Sequence, residues 1–243
     1  MKVVFDLEGR QIAIPKRQFV NTAVPLFRAC IEDAVRLGVI DPKGKDKDQI
    51  AEEIFKFIGR IGESTRFLCS TDHTSDLLDE ARRCVQIGKQ QIACLLYATW
   101  LEHWMNALIA DLARRRRFQD TEISAILRDI PYKAKPTWFL RLLGFPPLSG
   151  KHVRTILDIG ELRNSFVHYK WKQHDVDSDD FNNEPERISR LLKQAEFAIR
   201  YLRSVERKYF FGRKKRHWFV TKRLTHKLIA ENGRQHAGLA RSK

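Results

Sequence analysis

Apolar side chains recur along this chain at two spacings, first alternating and then helical. Val3, Phe5 and Leu7 alternate with polar positions, Glu8-Gly9-Arg10 supplies a turn, and Gln11-Ile12-Ala13-Ile14 ends at Pro15. That pattern predicts a short N-terminal β-hairpin. From Phe19 the apolar positions fall three and four residues apart, predicting a helix to Leu37, closed by Gly38, and a second from about Asp46 to Ile61. Thr74-Ser75 precedes an apolar-periodic run over Asp76 to Ile87, broken by Gly88. The longest helix is expected over Gln90 to Arg117. Its apolar positions (Ile92, Leu96, Trp100, Trp104, Leu108 and Leu112 among them) cover much of the circumference, so it should be a buried central element.

Shorter elements follow. A helix is expected over Thr121 to Ile130, closed by Pro131, another begins at Lys135-Pro136-Thr137-Trp138, and Gly144-Phe145-Pro146-Pro147 makes a rigid loop. A helix from about Lys151 to Trp171 precedes a polar, acidic connector over Gln173 to Asn183, and a last long helix runs from about Pro185 to Tyr209. The order, without internal repeats, is that of an all-α helical bundle carrying a short N-terminal hairpin and extra N-terminal helices. Three regions are expected: an accessory part over 1–73, the bundle over 74–209, and a basic, partly disordered tail over 210–243.

Charge sharpens this picture. The chain has 45 Lys and Arg against 30 Asp and Glu, a net of +15. From Arg207 onward there are 12 basic residues and one acidic, Glu231, so most of the excess sits at one end. Such a field favours a polyanion. Tyr209-Phe210-Phe211 and Trp218-Phe219 flank Arg213, Lys214, Lys215 and Arg216. Aromatics that stack on bases beside cations that neutralise phosphates suit single-stranded RNA. A segment packed on the bundle or a solvated tail is the other reading. The run Arg114-Arg115-Arg116-Arg117 either complements a helix dipole or lines an RNA path.

Other classes recede. No stretch of about 18 apolar residues is present, so no membrane span is expected, and the N-terminus lacks a secretory apolar region. A soluble, cytoplasmic protein is the expectation. Cys30, Cys69, Cys84 and Cys94 lack C-x-x-C spacing and read as small packed hydrophobes. Cys69 and His73 lack a second ligand pair, so a helix-entry loop is favoured over a metal site. Neither a metal nor a cofactor is expected.

The candidate chemistry lies in Arg163-Asn164-Ser165-Phe166-Val167-His168. Histidine titrates near neutrality and can act as acid or base, while arginine offers a permanent charge and a fork for phosphate oxygens. At about 100° per residue Asn164 and His168 lie about 40° apart on one helix face, whereas Arg163 and His168 differ by about 140°. The Asn amide can therefore orient the imidazole. Arg163 must reach round, or meet the histidine of a second copy. Val153, Ile156, Leu157 and Val167 form one apolar stripe, with Ile159, Leu162 and Phe166 nearly opposite, which suggests a helix sandwiched between its own bundle and a partner.

Arg163, Asn164 and His168, set after a long helix and a lysine- and proline-bearing connection, resemble the R-x4-H signature of the HEPN superfamily of helical-bundle ribonucleases, toxins and defence proteins. The likeness covers roughly Thr74 to Tyr209. It implies a homodimer with a composite site, cleaving RNA without a metal to a 2′,3′-cyclic phosphate and a 5′-hydroxyl. Arg163 would hold the phosphate, His168 would transfer protons and Asn164 would orient it. A toxin or anti-phage role, with an antitoxin or regulatory partner, follows from the same likeness; a non-catalytic RNA-binding or adaptor module is the other role in such a family. Where some toxin members carry a tyrosine two positions after the histidine, this chain has Lys170, with Tyr169 one place earlier. Glu102 and His103, polar residues within the central helix, read either as supports of the site or as structural and edge groups.

Overall fold

The computed structural model describes residues 2–7, 10–15, 25, 28–60, 74–167 and 184–212. These fall into two compact units, one within Phe67–Tyr209 and the other within Met1–Arg66 together with Phe210–Lys243.

In the unit that contains the N-terminus, strands β1 (Lys2–Leu7) and β2 (Arg10–Pro15) pair antiparallel, with Lys2 opposite Pro15 and Leu7 opposite Arg10. Helix α1 covers residues 28–36 and buries Ile31, Ala34 and Val35. Helix α2 (Lys47–Arg60) buries Ile50 and Ile54. Its start is fixed reciprocally: Asp46 Oδ1 accepts from the backbone N–H of Asp48 and Gln49, and Gln49 Oε1 accepts from the N–H of Asp46. Two otherwise orphaned helix donors and the entering amide are thereby satisfied.

The larger unit is a helical bundle. Helix α3 (Thr74–Gln86) is joined to α4 (Gln90–Arg115) through Gly88, whose φ of 75° is a left-handed conformation that glycine adopts without Cβ strain. Helix α4 is the core: Tyr97, Trp100, Leu101, Met105, Leu108, Ile109 and Leu112 are all buried. Then come α5 (Asp120–Asp129), a helical stretch over 134–142, α7 (Gly150–Val167) and α8 (Glu184–Phe211). Within 134–142, the five residues Lys135–Phe139 form a π turn that runs into α6 (Leu140–Leu142). Helix α8 buries Ile188, Leu192, Ala195, Ala198, Ile199 and Leu202, the three-and-four spacing of one helical face.

Three sequence expectations need correction. Helix α4 stops at Arg115 rather than Arg117 and, at 26 residues, is shorter than the 28 of α8. Its stop is a Schellman turn: Phe118 N–H donates to Ala113 O, Arg117 N–H donates to Arg114 O, and Arg117 takes φ 65°. Glycine usually marks that turn, so an arginine there gives no signal, and the strained φ costs roughly 1–2 kcal/mol. Ile156 and Ile159, placed on nearly opposite stripes, are both fully buried in the single chain, because α7 packs Ile156, Ile159 and Gly160 inward. The last helix runs to Phe211 rather than to about Tyr209, and Phe210, assigned to the basic tail, is buried with the Arg36 guanidinium 5.2 Å from its ring centre; Tyr209, within the expected helix, packs its ring 4.9 Å from that of Phe145.

Candidate functional site

Helix α7 is positioned from both ends. At its start, Tyr201 Oη of α8 accepts from the Ser149 amide at 2.8 Å, and the His152 and Tyr201 rings stack at 4.2 Å. Burial, then the nearby Lys151 charge, holds His152 below its ordinary value. Further along, Tyr132 lies against Gly160, and its hydroxyl donates to Ile156 O at 3.2 Å. Burial raises the Tyr132 phenol well above the usual range, Glu102's charge adds to this, and Arg163 opposes it. These contacts present the outer part of α7, including Arg163 and Asn164, at the edge of α4.

Arg163 is half-buried there. Its Nη2 lies 3.6 Å from Glu102 Oε2 on α4, and its Nη1 donates a long bond, 3.4 Å, to Asn164 Oδ1. Its Nε–H is buried and has no hydrogen-bond partner among the described residues. About a third of the side chain, 34%, remains open to solvent. His168 lies outside the described residues, as do Arg213, Lys214, Lys215 and Arg216. The structure thus joins Arg163 to Asn164 and to Glu102, while His103 is exposed.

A residue unflagged in the sequence completes this cluster. Lys135, first in the π turn, is only 3% exposed. Its Nζ donates to Asn106 Oδ1 at 2.7 Å and stands 3.8 Å from Glu102 Oε1. Burial pulls its ammonium below the ordinary value of 10.5, and Glu102's charge works the other way. Glu102 therefore lies between two cations, one carboxylate oxygen toward each. Two positive charges around one negative leave a net positive centre, whose outward member is Arg163. Such a centre can hold an anion such as a phosphate.

Beside the site runs an apolar cleft of about 510 Å³, lined by Ile92, Cys94, Leu162, Phe166, Pro185 and Ile188 among others. Leu162 and Phe166 are half-buried, and Ile92 and Val167 are exposed at 41% and 46%. No described helix is long and apolar enough to cross a membrane. No family model, curated protein or solved structure matches the chain.

Proposed function

We propose that the chain is a HEPN-type endoribonuclease, a toxin or defence effector, that cuts RNA through Arg163 and His168 without a metal. The observation that carries this reading is the state of Arg163. The arginine of the R-x4-H pattern is partly open, loosely paired and part of a net positive cluster. The long contacts of its two Nη groups leave the exposed part of the guanidinium able to turn to a phosphate. In the proposed reaction His168 and its counterpart in a second copy handle the two proton transfers. One removes the proton from the 2′-hydroxyl as its oxygen attacks phosphorus; the other protonates the departing 5′-oxygen. The bond to that oxygen breaks, leaving a 2′,3′-cyclic phosphate and a 5′-hydroxyl. Arg163 stabilises the charge that gathers on the non-bridging oxygens, and Asn164 holds the imidazole.

A homodimer on α7 is part of the proposal, supported by the outward apolar positions Leu162, Phe166 and Val167, and Arg213 to Arg216 would bind RNA. The test is incubation of purified protein with RNA in EDTA, beside Arg163→Ala and His168→Ala. Each substitution is expected to lower cleavage by about 10²–10⁴ without changing the melting temperature. Cleavage at the parental rate by both variants refutes the assignment. One observation favours the non-catalytic RNA-binding or adaptor reading: Glu102 neutralises part of Arg163's charge. Salt-dependent RNA binding with no cleavage by the parent at any pH would select it.

A further inference from the structure

Resting on the ribonuclease reading of Arg163, we propose that Lys135 is a positioning residue that keeps Arg163 available to the phosphate by occupying the other oxygen of Glu102. Three observations meet here. Lys135 is a lysine with almost no exposed surface, an arrangement that is strongly unfavourable unless the charge is partnered. Its ammonium has two partners, Asn106 Oδ1 and Glu102 Oε1, and the second carboxylate oxygen of Glu102 is the one that faces Arg163. The Arg163 pair is long for a charge-assisted contact, and one N–H of that guanidinium is unpaired among the described residues.

The consequence is a matter of charge. Lys135, Glu102 and Arg163 together carry a net positive charge, and the carboxylate's attraction is divided between two cations. Without Lys135, Glu102 and Arg163 form a neutral pair. The carboxylate then turns wholly to the guanidinium and occupies the donors a phosphate needs. Lys135 reaches no substrate itself, because its nitrogen is enclosed by Asn106 and Glu102. The π turn that presents it is a rare backbone form that tends to occur where function requires it.

The test compares Lys135→Met, Glu102→Gln and the double variant in the full chain. Met keeps the length and apolar body of the stem. Two rates are read: RNA cleavage, and modification of Arg163 by phenylglyoxal, followed by mass spectrometry of the peptide. Lys135→Met is expected to slow both, cleavage by on the order of tenfold or more, with the loss in kcat rather than in KM alone. The double variant should recover both rates, because without the Glu102 charge Arg163 needs no competing cation. A merely structural lysine would lose and regain melting temperature in step with the rates, so slowed rates in a Lys135→Met protein that melts like the parent separate the two roles. Should Lys135→Met fail to fold in a melt, Asn106→Asp carries the test, since a new carboxylate draws the ammonium from Glu102 and should slow both rates. Parental rates in Lys135→Met or Asn106→Asp, or a double variant as slow as Lys135→Met, overturn the proposal. If Arg163→Ala cleaves like the parent, the ribonuclease reading falls, and the phenylglyoxal rates alone still decide the role of Lys135.

Discussion

Replacing Gly160 by alanine isolates the contact that seats α7. A Cβ there would stand 2.5 Å from Tyr132 Cε1 and 3.1 Å from both Cδ1 and Cζ. Carbon atoms pack at about 3.5–4.0 Å, so the ring must withdraw by roughly 1 Å. It cannot do so freely, because its hydroxyl is held on Ile156 O, one turn back on the same helix. Forcing a methyl into packed surroundings costs about 1–3 kcal/mol, and losing the hydroxyl bond costs about 1 kcal/mol more. Alanine returns about 1 kcal/mol through its better helix propensity. The net expectation is destabilisation by about 1–3 kcal/mol, a melting temperature lower by roughly 2–4 °C per kcal/mol. Urea and thermal melts followed by far-ultraviolet circular dichroism measure it. The same substitution in a Tyr132→Ala background removes the clash and keeps the propensity gain, so there it should be neutral or stabilising. A Gly160→Ala protein as stable as the parent, or an equal loss in both backgrounds, refutes this account.

Other expectations address separate parts of the molecule. Burial raises the Glu196 carboxyl, but hydrogen bonds from Arg82 and Tyr97 and the Arg82 charge outweigh it and hold the group below its ordinary 4.5. A depressed folded value means that its stabilisation is full above pH 4.5 and is lost as pH falls through the folded value, so melts from neutral to acid pH should decline less steeply in Glu196→Gln. Burial pushes the Cys94 thiol up to about 12, and Cys30 is the most accessible of the described cysteines. Iodoacetamide at mildly alkaline pH should therefore label Cys30 well before Cys94 in native protein, and peptide mass spectrometry reads the order. Truncation after Gly212 keeps the packed Phe210, and on the proposed function it should weaken RNA binding and flatten its salt dependence, by about 0.7 in slope per lost phosphate contact. An unchanged slope assigns the binding elsewhere.

Much of the helical order was readable because apolar spacing reports burial directly. Helix α4 shows this best: Tyr97, Trp100, Leu101, Met105 and Leu108 spread around its circumference, and all are buried. Its end was misread because Arg117 occupies a position where glycine would have announced the turn. Ile159 was misplaced because angular arithmetic on an isolated helix does not say which neighbours cover each side. Phe210 reads by composition as part of the tail, an aromatic beside cations, although it continues the helical spacing of α8. Arg163 was visible through its motif. Its environment was not, since Glu102 lies on α4 and Lys135 on the π turn. Lysine beside proline normally marks a solvated helix start, and no local pattern distinguishes a lysine that will be enclosed.

The Lys135–Glu102–Arg163 cluster draws its members from three elements that are remote in sequence, and the Lys135–Asn106 bond alone spans 29 residues. Closing such distances costs loop entropy before any contact repays it, so the cluster exists only once these partners have met. Until they meet, the lysine has every reason to stay in water and the arginine has no defined neighbour. On the proposed function, the centre would therefore act as an assembly check: a nascent or partly unfolded chain has the same residues but not their arrangement, and would stay inactive until the bundle has closed.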